Sequence, residues 1–123
     1  MPEASVSMEL RIPFDGVAIV DIGGQITRFA EGVLADAHDQ ATRKGATVLL
    51  LNFTELDYMN SSGIGLLVTL LVRTQRNGQR LGAFGLSEHY MEIFELTRLD
   101  EAIFVHVDEA AAVAAATGGS DDG

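Results

Sequence analysis

Hydrophobic and polar positions along the chain repeat with the period of a strand in some segments and of a helix in others. Residues 6–12 alternate apolar and polar side chains, which is typical of a half-buried strand. Residues 17–22 predict a second, more apolar strand, and the short connection between the two favours a hairpin. The continuous apolar run over 47–52 indicates a central strand covered on both faces. Two shorter strands are predicted over 80–84 and 103–105.

Helical spacing of apolar residues appears between these strands. Within residues 27–44 the apolar positions form one stripe, and Gly45 follows as a natural helix stop. Residues 53–60 are predicted to be a loop, and a buried helix is predicted from Ser62 to Arg76.

Two further helices are predicted from their capping residues. Ser87 and Asp108 are N-cap candidates, and the last helix is rich in alanine and ends at Ala116. The order of elements predicts one α/β domain with a mixed, largely parallel sheet, whose helices cover one face or both. The domain is expected over 7–116, after an N-terminal segment 1–6 and before an acidic tail, 117–123, that is predicted to be disordered.

Composition and charge exclude several classes of function. The 123 residues carry 8 Lys plus Arg against 18 Asp plus Glu, for a net charge of -10, which argues against direct nucleic-acid binding. The absence of cysteine excludes disulfides and thiolate metal sites. No apolar run approaches the roughly 20 residues of a membrane span, and no signal peptide is recognisable, so we expect a cytoplasmic protein.

Enzyme motifs are missing as well. A nucleophile elbow needs glycine two residues before and two residues after the serine, and Ser61 has only the second of these while Ser62 has neither. The sequence also has no phosphate-binding lysine motif and no clustered metal ligands. We therefore expect no catalytic residue, no metal and no cofactor. His38 is expected to be a partly exposed helix residue, and His89 and His106 to be structural. Three glutamates predict a solvated helix face or, alternatively, a partner surface: Glu88, Glu92 and Glu95.

One place has the chemistry of a modification site. Ser61 and Ser62 lie where a loop enters a helix, so backbone N–H groups there lack helical partners and the helix dipole is positive. A phosphate fits such a place, and on a serine it adds roughly -1.5 to -2 charges. The alternative interpretation is ordinary helix capping by Asn60, Ser61 or Ser62.

The segment around these serines resembles the signature of STAS domains, which reads strand, loop, Asp-Ser-Ser/Thr-Gly and apolar helix. Here residues 53–65 read FTELDYMNSSGIG. Residues 24–26, GQI, and residues 94–99, FELTRL, add to the resemblance, which extends from Met8 to about Ala116. The similarity is to bacterial anti-sigma factor antagonists in particular.

The resemblance implies regulation of transcription by partner switching in a stress response. In that family the unmodified antagonist binds an anti-sigma factor, a serine kinase of the histidine-kinase-like ATPase type, and a sigma factor is released. The kinase phosphorylates the first serine of the motif, here Ser61, and a PP2C-type phosphatase reverses the modification. The residues expected to bind the partner are Gly24, Gln25, Thr27, Asn60, Ser61 and Ser62.

Three positions differ from the family pattern. Asn60 replaces the usual Asp before the acceptor serine, Thr27 replaces a common acid, and Arg98 stands where a glycine often follows threonine. The first two changes remove negative charge near the acceptor. If the kinase no longer recognises the site, an antagonist that binds constitutively is expected. The alternative function is a non-phosphorylated STAS scaffold or a transporter-accessory interaction module.

Overall fold

A computed structural model describes residues 5–118 of the chain. It contains one sheet of five strands, which lie side by side in the order in which they occur in the sequence. Strand β1 is antiparallel to β2, and all other neighbouring pairs are parallel, which confirms the predicted mixed, largely parallel sheet. The strands are β1 (Val6–Phe14), β2 (Val17–Ile26), β3 (Val48–Met59), β4 (Arg80–Phe84) and β5 (Phe104–His106).

Helices follow each of the parallel strands. They are α1 (Glu31–Arg43), α2 (Ser61–Arg76), α3 (Glu88–Leu96) and α4 (Glu109–Thr117), with short 3-10 turns over Arg28–Ala30 and Leu99–Glu101. Thr117, placed by the sequence in the tail, ends α4. Residues 1–4 of the predicted N-terminal segment and 119–123 of the predicted tail lie outside the described residues.

The helices cover both faces of the sheet. Because β2 to β5 are neighbours in chain order and such crossovers are right-handed, α1, α2 and α3 pack on one face. Their residues form the main core with the side chains of Ala18, Val20 and Leu51. Helix α4 lies on the opposite face, where Ala112 packs in a second, smaller cluster that includes Ile19 and Leu50.

Strands β2 and β3 are both longer than predicted. The sequence placed the end of β2 at Ile22 and a loop over residues 53–60, but β2 continues to Ile26 and β3 to Met59. The two extensions pair with each other, and the register shifts at the glycines of β2. Gly24 accommodates its irregularity with a φ of +86°. The pairing partner therefore outweighs the local breaking signal of the two glycines.

The first helix begins later than predicted. Thr27 caps the 3-10 turn Arg28–Ala30, and regular α-helix starts only at Glu31. His38 of this helix is 5% exposed, so the expectation of a partly exposed histidine was wrong. Its Nε2 lies 2.8 Å from Gln79 Oε1, and the Gln79 amide donates to the Ala46 carbonyl at 2.9 Å. The turn after α2 covers His38, and no local pattern shows that contact.

The described part of the chain, residues 5–118, has no helix that is long and apolar enough to cross a membrane.

Candidate functional site

The loop after β2 and the start of α2 meet at the carboxyl ends of β2 and β3. Ile26 and Met59 are paired at the end of the ladder, and the Asn60 N–H donates to the Ile26 carbonyl at 3.3 Å. Thr27 and Ser61 follow closely on the two strands, so the fold brings the predicted residues from both segments to one edge of the sheet.

Asn60 is the N-cap of α2. Its backbone is extended, and its Oδ1 accepts the Gly63 N–H at 3.0 Å. Ser61 and Ser62 are therefore the first two helical residues rather than caps, and α2 starts one residue earlier than predicted. Both serines are exposed. The first turn of α2 contains no acidic residue, so the positive end of the helix dipole is not offset from within the helix.

Gly63 explains why the motif has glycine after the two serines. A Cβ at this position would lie 2.3 Å from the Ile26 carbonyl oxygen and 2.8 Å from Met59 Cγ. The absence of a side chain lets the first turn of α2 rest directly on the end of β2. This close approach holds Ser61 and Ser62 at the edge of the sheet.

Three of the predicted partner-binding residues come from β2 and the turn after it, and they differ in accessibility. Gln25 is exposed and paired with Tyr58 of β3. Thr27 is only 8% exposed, and its Oγ1 accepts the Phe29 N–H at 3.3 Å. Gly24 lies inside β2 beneath the chain before β1, where a Cβ would be 2.4 Å from the Ser5 carbonyl oxygen. Gly24 thus has a structural requirement of its own, and Gln25 is the accessible residue of the three.

The family assignment follows from a comparison of the whole sequence with family models. Residues 12–112 match the STAS domain. The protein belongs to the STAS domain family. The match includes residues 60–63, the segment whose sequence resembles the signature of the family.

Curated relatives of this STAS domain are anti-sigma-B factor antagonists. The protein from Listeria monocytogenes is 26% identical over 99 residues, which cover 80% of this chain and 87% of the relative. The protein from Staphylococcus aureus is 28% identical over 94 residues, which cover 76% of this chain and 85% of the relative.

Solved structures share the fold. Unphosphorylated SpoIIAA, an anti-sigma factor antagonist, aligns with a TM-score of 0.73 at 17% identity and covers 91% of this chain and 99% of its own. An anti-sigma factor antagonist from Mycobacterium paratuberculosis aligns with a TM-score of 0.77 at 18% identity, and the alignment covers 93% of this chain and 96% of its own. A sulfate transporter family protein from Wolinella succinogenes aligns with a TM-score of 0.70 at 21% identity, and the alignment covers 85% of this chain and 88% of its own.

Arg11 joins two carboxylates on the α4 face of the sheet. Its guanidinium donates to both Asp21 oxygens at 2.6 and 2.7 Å, and to Glu109 Oε1 at 2.9 Å. The hydrogen bonds to Asp21 and then Glu109 raise the pKa of Arg11. The hydrogen bonds that Arg11 donates to Asp21 lower the pKa of the Asp21 carboxyl. Partial burial opposes this shift, and a hydrogen bond from Asn52 adds to it. The arrangement ties β1 and β2 to the first turn of α4.

Tyr90 is a residue near the site that the sequence motifs did not indicate. It lies on the buried side of α3, and its hydroxyl reaches the backbone of Met59 at the end of β3. The available signal was a tyrosine on the apolar face of a short helix, since a buried tyrosine hydroxyl usually needs a hydrogen-bond partner. The identity of that partner depends on the fold.

Proposed function

We propose that this STAS domain is an anti-sigma factor antagonist. It binds an anti-sigma factor, a serine kinase of the histidine-kinase-like ATPase type, and thereby releases a sigma factor for transcription. The names of the curated relatives support the class of protein. The proposal places the protein in the cytoplasm, where sigma factors act, and gives it a regulatory rather than a catalytic role.

The observation that carries the proposal is the exposed first turn of α2. Because Asn60 provides the cap, the hydroxyls of Ser61 and Ser62 are not needed to start the helix. Gln25 and the turn after β2 border this surface. A partner that covers the edge of the sheet would therefore contact Ser61 directly.

Phosphorylation of Ser61 is the proposed off switch. The Ser61 Oγ forms a bond to the γ-phosphorus of the kinase's ATP, the bond from that phosphorus to ADP breaks, and the hydroxyl proton passes to solvent. The PP2C-type phosphatase hydrolyses the ester and returns the hydroxyl and inorganic phosphate. A phosphate without a cation in a packed interface is an unpaired buried charge that costs about 3–5 kcal/mol. That cost corresponds to roughly two to four decades in affinity.

Two alanine variants test the switch. Ser61→Ala is expected to keep partner binding and to lose phosphorylation, because it removes the acceptor and leaves the Asn60 cap intact. Ser62→Ala is the matched control, since it makes the same change one residue later in the same exposed turn, and it should keep both properties. Ser61→Asp is expected to weaken binding by placing charge in the interface.

The measurement uses the purified anti-sigma factor kinase from the same genome, with ATP. Mass spectrometry locates the phosphate, and titration calorimetry measures binding. Phosphate on Ser62 alone would show that Ser61 is not the acceptor. Intact binding with no modification would identify a constitutive antagonist, and absence of binding would favour a different STAS interaction module.

Asn60→Asp isolates the effect of the missing acid. Asp caps a helix about as well as Asn, so the variant changes charge while keeping the geometry of the first turn. Under the proposal, phosphorylation of Ser61 in this variant is as fast as in the wild type or faster. A slower reaction would show that Asn60 is the residue this kinase recognises.

A further inference from the structure

The hydroxyl of Tyr90 contacts the backbone immediately before the serine site. Tyr90 is 8% exposed, and its Oη accepts the Met59 N–H at 2.8 Å. The same oxygen donates, over a longer 3.5 Å, to the Met59 carbonyl. One side-chain oxygen of α3 therefore binds the N–H of the last residue of β3 and lies beside its carbonyl.

The unequal lengths of the strands explain why this contact is needed. Strand β4 pairs with β3 only from Val48 to Asn52. Within residues 5–118, the part of β3 beyond Asn52 therefore has β2 on one side and no strand on the other. The Asn60 N–H points to β2, and the preceding Met59 N–H therefore points away from it. Met59 is 4% exposed, and its N–H would be buried without a partner if the Tyr90 hydroxyl were absent.

The position of the Met59 backbone affects Ser61, because Ser61 follows Met59 by only two residues in the chain. Met59 is followed by Asn60, whose side chain caps α2, and Asn60 is followed by Ser61. We propose that Tyr90 is a positioning residue for the serine site: its hydroxyl fixes the end of β3 and thereby the direction in which α2 presents Ser61. The use of that positioning in partner binding and phosphorylation rests on the proposed function.

Tyr90→Phe removes this contact with little other change. The ring remains in the core, and the cap of α3 remains because Ser87 Oγ accepts the backbone N–H of residue 90. Tyr58→Phe is the matched control. It removes the hydroxyl of a half-exposed tyrosine on β3, one residue before Met59. Ile103→Val serves as a second control that lowers global stability from a fully buried position just before β5, without removing a hydrogen bond to Met59.

Amide hydrogen exchange provides the decisive measurement, because it needs no partner. In Tyr90→Phe we expect the amides of Asn60, Gly63 and Ile64 to exchange about tenfold faster relative to that of Leu50 in the centre of the sheet. Neither control should change this ratio. An equal acceleration of site and core amides in Tyr90→Phe would overturn the proposal, because Tyr90 would then contribute only to global stability.

A second measurement uses the anti-sigma factor kinase with ATP. A several-fold slower phosphorylation of Ser61 in Tyr90→Phe, with Tyr58→Phe at the wild-type rate, supports the positioning role. Wild-type kinetics in Tyr90→Phe would overturn the use of that positioning in phosphorylation. If the wild-type protein neither binds nor is modified, the proposed function fails, and the exchange ratio alone supports or overturns the positioning of the first turn.

Discussion

Alanine at Gly63 and at Gly65 should have opposite effects on stability, although both glycines lie in the first two turns of α2. A Cβ added at Gly63 would lie 2.3 Å from the backbone oxygen of Ile26, whereas ordinary contacts begin near 3.4 Å. At Gly65 a Cβ would have no atom of the described part of the chain within 4 Å, apart from the helix's own backbone. The comparison therefore separates the intrinsic helix preference of alanine from the close approach of α2 to β2.

The magnitude follows from two opposing contributions. Replacing glycine by alanine in a helix gains up to about 1 kcal/mol. At Gly63 the helix or β2 must shift by about 1 Å, and the Ile26 oxygen is restrained because it accepts the Asn60 N–H. Overpacking of this kind costs about 1–3 kcal/mol. With the full helix gain subtracted from the overpacking cost, we expect Gly63→Ala to lower the free energy of unfolding by up to about 2 kcal/mol. Gly65→Ala should raise it by about 0.5–1 kcal/mol.

Urea unfolding followed by far-ultraviolet circular dichroism measures both changes. The slope of the free energy against urea should be the same in the two variants and the wild type, so that the midpoints can be compared directly. Equal stabilisation by both alanines would refute the reasoning, because it would show that the first turn of α2 has room for a side chain at Gly63.

Two further predictions concern stability away from the serine site. Arg11→Met should lower the free energy of unfolding by about 1 kcal/mol at pH 7, a modest value because Arg11, Asp21 and Glu109 are partly exposed. Since Arg11 lowers the pKa of folded Asp21, this contribution is complete above the unfolded pKa of about 3.9 and is lost as the pH falls through the folded pKa. The gap between variant and wild type in urea unfolding should therefore narrow from pH 5 to pH 3, and a constant gap would contradict the assignment. Arg98 has a left-handed φ of +63°, so Arg98→Gly should raise the unfolding midpoint by relieving a strain of about 1 kcal/mol. Arg98→Ala removes the exposed ion pair with Glu101 but keeps the backbone strain, so it should not raise the unfolding midpoint. A higher midpoint in both variants would show that the loss of the charge, and not the relief of strain, is responsible.

Local chemistry in the sequence was sufficient to predict several features. Ser87 and Asp108 cap α3 and α4 as predicted, since Ser87 Oγ accepts the Tyr90 N–H and Asp108 Oδ1 accepts the Ala111 N–H. Such bonds join residues three apart, so the order of side chains determines them. The alternation of strand and helix periods likewise predicted the five strands and their mixed pairing, which the structure confirms.

The signature segment was also recognisable from the sequence, but its geometry was not. Asn60, Ser61 and Ser62 all have side chains that can cap a helix, and the position of the Ile26 carbonyl decides that α2 starts where Asn60 is the cap. The roles of these residues in partner binding remain predictions for the experiments above. Asn and Ser have nearly equal preferences for the N-cap position, so the sequence could not decide which of the three residues caps α2.

Contacts between distant segments decided the rest. Gly23 and Gly24 predict a strand end by themselves, yet β2 continues because the end of β3 offers its backbone groups as partners. Tyr90 and Met59 are 31 residues apart, and their hydrogen bond exists only because α3 packs beside the unpaired side of β3. Hydrogen-bond partners and burial at such positions depend on which segments meet in three dimensions, whereas the periodicity of the sequence reports only the preferences of neighbouring residues.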